Sequence, residues 1–240
     1  MITSPVSGLW GDMDVRNHLL LSLTPAARAF IKDRIVTRPF TAGEVIYRDG
    51  APFTHAVFPH EGVLSLMAFM ENGKCVEKAS IGLEGFLGFV LIMGGGDGRA
   101  ISTSVGRVAG YASWLSIADL DAALAEFGCV SDTLLRYARS LISQTMESVA
   151  CNSLHSAEQR VASWLLHAHD RILGDRFAIT QQALSDVLGL RRATVSDACS
   201  KLQQAGILDY SRGMLSIVDR ARLEAHACEC YGRIRSKFVP

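Results

Sequence analysis

The sequence predicts an α+β fold in three parts, and three patterns along the chain carry that prediction. Residues 40 to 115 alternate short apolar runs with turn residues, which is typical of an antiparallel β-roll or jelly roll. Residues 132 to 152 contain neither Pro nor Gly and repeat small or apolar residues at helical spacing. The remainder has the helix, turn, helix and hairpin order of a winged helix-turn-helix. We therefore assign domains to residues 18–130, 131–154 and 155–235.

The composition is that of a folded chain. The 240 residues include 24 Lys+Arg and 24 Asp+Glu, and 49% are hydrophobic, which excludes a disordered chain or a coiled-coil rod. The longest apolar stretch, Phe86 to Met93, is too short to span a bilayer, and the N-terminus lacks an export pattern. We expect a cytoplasmic chain with no membrane partner. With zero net charge, any argument for nucleic-acid binding depends on local charge.

Turn residues divide the first region into predicted strands. The runs are Glu44 to Arg48, Ala56 to Phe58, Val63 to Met70 and Cys75 to Ile81. Pro59 to Gly62 is predicted as a turn between the second and third runs. Asn72-Gly73 is the strongest hairpin signal in the chain, because both residues tolerate the positive φ that tight hairpin turns require.

The predicted long helix has an apolar seam wider than one contact requires. Two interpretations remain open: the helix covers the core of its own domain, or its surplus face pairs with a second copy of the chain. The residues assigned to the dimer helix are Leu134, Leu135, Ala138, Leu141, Ile142, Thr145 and Val149.

The last region has the spacing of a helix-turn-helix. Thr180 is a candidate N-cap for a helix at 181–188, Gly189 suits the turn, and a second helix is expected at 191–205. A hairpin at 207–218 follows, with Arg212 at its tip. These elements together predict a winged helix-turn-helix.

The second helix of this motif is expected to present a polar, basic face. Two arginines at its start suit guanine recognition in the major groove, and the N-terminus of the preceding helix suits a phosphate. The assigned DNA-binding residues are Thr180, Gln181, Arg191, Arg192, Thr194, Ser196, Asp197, Ser200, Lys201 and Arg212. The alternative is a ligand-binding or scaffold module whose winged helix binds protein.

The chain from about residue 18 to 235 resembles the Crp/Fnr family of bacterial transcription regulators. Its most specific stretch is ITQQALSDVLGLRRATVSD, residues 179–197. The resemblance implies a cyclic-nucleotide-binding-like β-roll, a dimerisation helix, and a homodimer that binds pseudo-palindromic DNA and RNA polymerase. It also implies that Arg192 reads a base and Thr194 contacts phosphate. Ala193 and Asp197 depart from the family's glutamate and arginine, so the operator is expected to differ from common family sites.

The resemblance also implies an effector pocket, and there the sequence departs further from the cyclic-AMP-binding relatives. Arg99 matches the arginine that binds the cyclic phosphate in those relatives. Phe89 stands in place of the ribose-binding glutamate, and Ala100 stands in place of the phosphate-binding serine. Thr145 and Met146 match the pair that meets the adenine. Phenylalanine cannot accept a hydrogen bond from a ribose hydroxyl, so we expect no ordinary cyclic AMP binding and no cofactor. A different small molecule, or none, is expected.

The histidines and the six cysteines suggest no metal site and no enzyme. The candidate ligands for haem are His55, His60 and Cys75, and those for a cupin-like metal enzyme are His55, His60 and Glu61. Both sets have too few ligands at positions that would bring them to one site. No four-ligand cluster can be assembled from neighbours in the sequence, so no metal is predicted. Cys151 is expected to be an inert buried thiol rather than a redox switch. Cys228 and Cys230 are expected on different faces of one helix.

Overall fold

The computed structural model describes residues 15–94 and 97–238, and it contains the three predicted parts. The N-terminal part comprises α1 (His18–Ser22), α2 (Pro25–Lys32), β1 (Ile35–Phe40), β2 (Val45–Tyr47), β3 (His55–Phe69), β4 (Cys75–Ile81), a 3₁₀ turn (Phe89–Ile92), β5 (Thr103–Ser116) and α3 (Ile117–Glu126). The long helix is α4 (Gly128–Leu154). The C-terminal part comprises α5 (Ala157–His169), β6 (Arg176–Ala178), α6 (Gln181–Leu188), α7 (Arg192–Gln204), β7 (Leu208–Ser211), β8 (Met214–Ile217), α8 (Arg220–His226) and α9 (Glu229–Arg235).

The N-terminal sheet is antiparallel, with strand order β1-β5-β3-β4 and β2 paired to β5. The predicted turn at 59–62 is wrong, because β3 runs through it as one strand paired to β5. The register shifts between Pro59 and Glu61 and again on either side of Val63, and Gly62 has a φ of +88°. Bulges bend the strand here without ending it.

The hairpin predicted at Asn72-Gly73 is present between β3 and β4. Gly73 has a φ of +77°, and the Met70 amide donates to the Lys74 carbonyl at 2.8 Å. This turn places the end of β3 and the start of β4 beside the C-terminal domain, a position that matters for the candidate interface.

Helix α4 has large apolar residues on two faces, and one of these faces covers the core of the chain itself. Leu134, Ala138 and Leu141 are 2–3% exposed and face the chain's own interior. These three are therefore wrongly assigned to the dimer contact. Leu135 is 43% exposed, Ile142 47% and Val149 65%, and with Met146 they form a stripe along the opposite face. We call these four residues the α4 stripe.

The C-terminal domain has a small core under a three-stranded sheet of order β6-β8-β7. Helix α5 begins with a capping box, in which the Ser156 side chain accepts from the Gln159 amide and Gln159 accepts from the Ser156 amide. Helices α8 and α9 follow the sheet and return the chain to α4 and α5.

A buried polar contact joins the two domains. The Arg171 guanidinium, 4% exposed, donates to both carboxylate oxygens of Glu84, at 2.6 and 3.2 Å, and to the Ser80 hydroxyl at 2.7 Å. Val63 and Val108 of the sheet complete the apolar core of the C-terminal domain. We call this region the domain junction.

Candidate nucleic-acid interface

Local backbone chemistry builds the helix-turn-helix as the sequence predicts. The Thr180 hydroxyl accepts from the Ala183 amide at 3.0 Å and begins α6. Gly189 ends α6 in the left-handed conformation, with a φ of +62°. Val195 is fully buried where α7 crosses α6, and Ser185 is small and buried beside it. The motif therefore has the close helix crossing that presents the outer side of α7.

The outer side of α7 carries most of the predicted DNA-binding residues. Arg191, Arg192, Asp197, Ser200 and Lys201 are exposed, while Thr194 and Ser196 are half-buried. Helix α7 starts at Arg192, one residue later than predicted, and Arg191 occupies the N-cap with extended backbone. Thr180 is exposed and Gln181 half-buried at the start of α6. We call the face formed by these residues and Arg212 the recognition surface.

An ion pair lowers the positive charge of the recognition surface. Asp197, which stands where the family has an arginine, lies 3.0 Å from the Lys201 ammonium, and Glu158 lies 4.0 Å away. The hydrogen bond from Lys201 to Asp197 raises the pKa of the lysine, which therefore stays charged. The two arginines at the start of α7 are left as the principal cations of the helix.

The wing hairpin holds Arg212 in an unusual backbone conformation. Arg212 and Gly213 form a two-residue turn with φ values of +51° and +78°, and Arg212 is the single non-glycine residue with positive φ in the described parts of the chain. Tyr210 of β7 donates to the Ile179 carbonyl at 2.7 Å, which ties the wing to the start of α6. The arginine is therefore exposed at the tip of a wing that is anchored beside the helix-turn-helix.

A groove of about 780 Å³ separates the recognition surface from the chain's own β-roll. Lys74 and Val76 of the β3–β4 hairpin line one side, and Arg191 and Arg192 line the other. At the turn, a side chain at Gly189 would come within 3.2 Å of Val76. The start of α7 thus faces this hairpin in the present domain arrangement.

The predicted effector residues are engaged within the protein. Arg99 donates to the Gly50 carbonyl at 2.8 Å and pairs with Asp97 at 3.2 Å. Phe89 packs half-buried against the core from the 3₁₀ turn, and Ala100 is buried. Thr145 and Met146 lie on the exposed side of α4. Residues 95 and 96 of the predicted glycine-rich run lie outside the described residues.

The histidines considered as haem or metal ligands have protein partners. His60 is buried, its Nδ1 accepts from the Arg16 and Asn17 amides at 3.1 Å, and its Nε2 meets the Ser113 hydroxyl at 2.7 Å. Burial lowers the pKa of His60 to about 4, so the ring is neutral at pH 7. His55 Nδ1 lies 3.0 Å from the Thr54 hydroxyl.

The fold assembles one cluster that the sequence prediction missed. Cys151, His155, Cys228 and Cys230 place their ligand atoms within 4.8 Å of one another, although the two halves of the cluster are more than 70 positions apart. The expectation that no four-ligand cluster exists considered neighbours in sequence alone. Cys228 and Cys230 share one site because Cys228 is the N-cap of α9 with extended backbone, so helical spacing does not separate their side chains. In the sequence, the pair Cys228 and Cys230, separated by one residue, was the pattern that could have predicted this cluster.

Comparison with known proteins supports the assignment of the C-terminal domain. Residues 159–226 match the Crp-like helix-turn-helix domain. The nitrogen fixation regulation protein FixK of Bradyrhizobium diazoefficiens is 32% identical over 93 residues, which cover 36% of this chain and 39% of FixK. The matched segment thus spans about two fifths of that relative.

Solved structures share the fold over nearly the whole chain. FixK2 from Bradyrhizobium japonicum has a TM-score of 0.67 at 19% identity, covering 81% of this chain and 98% of its own. A transcriptional regulator of the Crp/Fnr family from Eubacterium rectale has a TM-score of 0.63 at 19% identity, covering 87% and 96%. Among the described residues, the helices are too short or too polar to cross a membrane.

Proposed function

We propose that this chain is a transcription regulator of the Crp/Fnr family, and that it binds pseudo-palindromic double-stranded DNA as a homodimer. Each winged helix would enter one major groove, with half-sites roughly 10–11 base pairs apart. The protein acts by binding, and RNA polymerase is the further partner that the family suggests.

The observation that carries this proposal is the exposed, charged start of α7. Arg191 and Arg192 are exposed where α7 begins, directly after the turn that ends α6, while the inner side of α7 is buried. Guanidinium groups at the start of a recognition helix suit bidentate contacts with guanine O6 and N7. Arg212 at the wing tip adds a contact to the DNA backbone or minor groove.

The α4 stripe supports the homodimer. Four large apolar side chains, Leu135, Ile142, Met146 and Val149, follow one another at spacings of seven, four and three residues. That spacing places them on one helix face, which suits a coiled-coil contact with the same face of a second copy. Pairing two α4 helices would also set the distance between two recognition surfaces.

The proposed signal acts on the relative position of the domains. The departures at Phe89 and Ala100 argue for an effector other than cyclic AMP, and the Arg99 guanidinium is already paired with Asp97. A ligand at the β-roll would alter DNA binding by favouring one arrangement of the domain junction over another. The groove between Arg192 and the β3–β4 hairpin would open or close with that change.

Selection of bound sequences from a random DNA library, with and without cyclic AMP, tests this proposal. We expect one palindromic motif in both arms. A motif that requires cyclic AMP would contradict the effector proposal, and no motif in either arm, with or without cell extract as a source of effector, would contradict DNA binding.

The variant Arg192→Ala tests the recognition surface. We expect specific binding to weaken by about 1–3 kcal/mol, with relaxed preference at one base of each half-site. Arg136→Ala, an exposed arginine on α4, serves as the matched control and should leave DNA binding unchanged. An unchanged base preference in Arg192→Ala would contradict the assignment of α7 as the recognition helix.

The variant Ile142→Glu tests the dimer. A carboxylate in an apolar seam would meet its own copy across the two-fold axis, so we expect a monomer in analytical ultracentrifugation. Arg139→Glu changes charge on the same helix without removing apolar surface and is the control. A dimer of unchanged affinity in Ile142→Glu would place the dimer contact elsewhere.

A further inference from the structure

We propose that Cys151, His155, Cys228 and Cys230 form a tetrahedral binding site for one zinc ion where the long helix meets the C-terminal domain. The four residues flank the segment that matches the Crp-like domain, two before residue 159 and two after residue 226. Nothing in the helix-turn-helix motif accounts for them. The proposal does not depend on DNA binding.

The positions of the ligand atoms fit a single metal ion. Tetrahedral zinc with Zn–S bonds of about 2.3 Å and Zn–N bonds of about 2.0 Å places two sulfurs about 3.8 Å apart and a sulfur and nitrogen about 3.5 Å apart. Cys151 Sγ and Cys228 Sγ lie 3.6 Å apart, and Cys230 Sγ lies 3.5 Å from His155 Nδ1. An iron–sulfur cluster spreads its ligands over several irons, so this compact set favours one ion.

The histidine is oriented as a metal ligand. His155 Nε2 lies 3.2 Å from the Glu229 carboxylate, while Nδ1 faces the sulfurs. A carboxylate that accepts from Nε2 leaves the proton on that nitrogen and the lone pair on Nδ1, which is the arrangement of many zinc-bound histidines. Glu229 is therefore the positioning residue of the site.

The ligand residues lie in a largely closed site. Cys228 and Cys230 are 4% and 2% exposed, and Cys151 and His155 are half-buried. The Ser163 hydroxyl accepts from the Cys228 amide at 3.3 Å and lies 3.2 Å from the Cys228 Sγ.

Proton and charge balance follow from these groups. Zinc binds cysteine as the thiolate and histidine as the neutral ring, so each ligand thiol gives up its proton when the ion binds. Three thiolates, a neutral histidine and Zn²⁺ carry a net charge of −1. Arg160, which interacts electrostatically with Cys151 and Cys228, supplies a neighbouring positive charge.

The site would connect the two sides of the domain boundary. Cys151 lies in the last turn of α4, and His155 lies between α4 and α5, while the other two ligands begin α9. A metal ion here would hold α9 against the end of the dimerisation helix and limit the bend between α4 and α5. This consequence for DNA binding, unlike the site itself, depends on the proposed function.

Metal content of the full chain tests the proposal. Protein purified under reducing conditions without chelator is expected to hold about one zinc per chain by plasma mass spectrometry. Cobalt substitution is expected to give the sulfur charge-transfer and strong ligand-field bands of a tetrahedral thiolate site. Cys129→Ser, a half-buried cysteine outside the cluster, should retain zinc. Cys228→Ser and His155→Asn should lose it, while the control His226→Asn, at a half-buried histidine outside the cluster, should not.

Glu229→Gln keeps the ligands and tests the positioning role. We expect its zinc affinity, measured by competition with a chromophoric chelator, to fall 10–100-fold while circular dichroism is unchanged. Iron with visible absorption, a disulfide detected as a loss of two mass units, or zinc content independent of Cys228 would each overturn the proposal. Zinc retained by a chain that selects no DNA sequence would support the site and contradict only the proposed regulator.

Discussion

The recognition surface and the domain junction use arginine in opposite ways. Arg192 is exposed on α7, where its charge is available to a partner. Arg171 is 4% exposed, and its guanidinium N–H groups donate hydrogen bonds to Glu84 and Ser80 of the other domain. An exposed cation can be removed with little effect on the fold, whereas a buried ion pair leaves an uncompensated charge when one partner is removed. Binding specificity and domain arrangement are therefore separable by mutation.

The largest effect is expected at the junction. Arg171→Met should lower the free energy of unfolding by about 3–5 kcal/mol, because it leaves the Glu84 carboxylate buried without its cation. Urea denaturation followed by tryptophan fluorescence measures this loss. Arg176→Met, an exposed arginine on β6, is the control and should change stability little.

A double variant separates the charge from the packing at this contact. Arg171→Met combined with Glu84→Leu removes both charges, so we expect it to recover much of the lost stability. If the double variant is as unstable as the sum of its two single variants, the pair does not hold the junction together.

Acid is expected to weaken the interior before it affects the recognition surface. Burial, assisted by the charge of Arg171, lowers the pKa of His167 to about 3, and burial lowers that of His60 to about 4. As the pH falls below the ordinary value of about 6.5, the unfolded state takes up these protons first, so stability falls until the folded-state pKa values are reached. Between pH 7.5 and 5.5 each histidine should cost about 1.4 kcal/mol.

Denaturation midpoints at the two pH values check this expectation. His167→Gln should remove about half of the pH dependence, and His226→Gln, a half-buried histidine on α8, should remove none. A pH dependence that survives unchanged in His167→Gln would mean that this ring is protonated in the folded protein.

The smallest effect is expected at the wing tip, where the residue best suited to the backbone conformation differs from the residue best suited to bind DNA. Arg212 has a φ of +51°, a conformation that asparagine adopts at lower cost. Arg212→Asn should therefore raise the free energy of unfolding by up to about 1 kcal/mol while weakening DNA binding. Arg212→Lys keeps the charge and the strain, so its stability should match the unchanged protein. A stable Arg212→Asn variant with full DNA affinity would show that the wing does not contact DNA.

The elements that depend on neighbours in the sequence were predicted well. The spacing of Thr180, Gly189 and Val195 predicted both helices of the motif to within a residue or two, because caps, left-handed turns and helix crossings are local requirements. The hairpin at Gly73 was confirmed for the same reason. The turn predicted at 59–62 was wrong, because pairing with β5 on a neighbouring strand outweighed the local preference of Pro59 and Gly62.

By itself, the sequence determined the order of the elements, the helix-turn-helix and the residues of the recognition surface, because each depends on chemistry within a few turns of chain. Tertiary structure alone decided which face of α4 is buried, which carboxylate pairs with Arg171, and that Cys151 and His155 meet Cys228 and Cys230. These contacts join residues that are distant along the chain, and helical or strand periodicity carries no information about which distant partner a side chain meets.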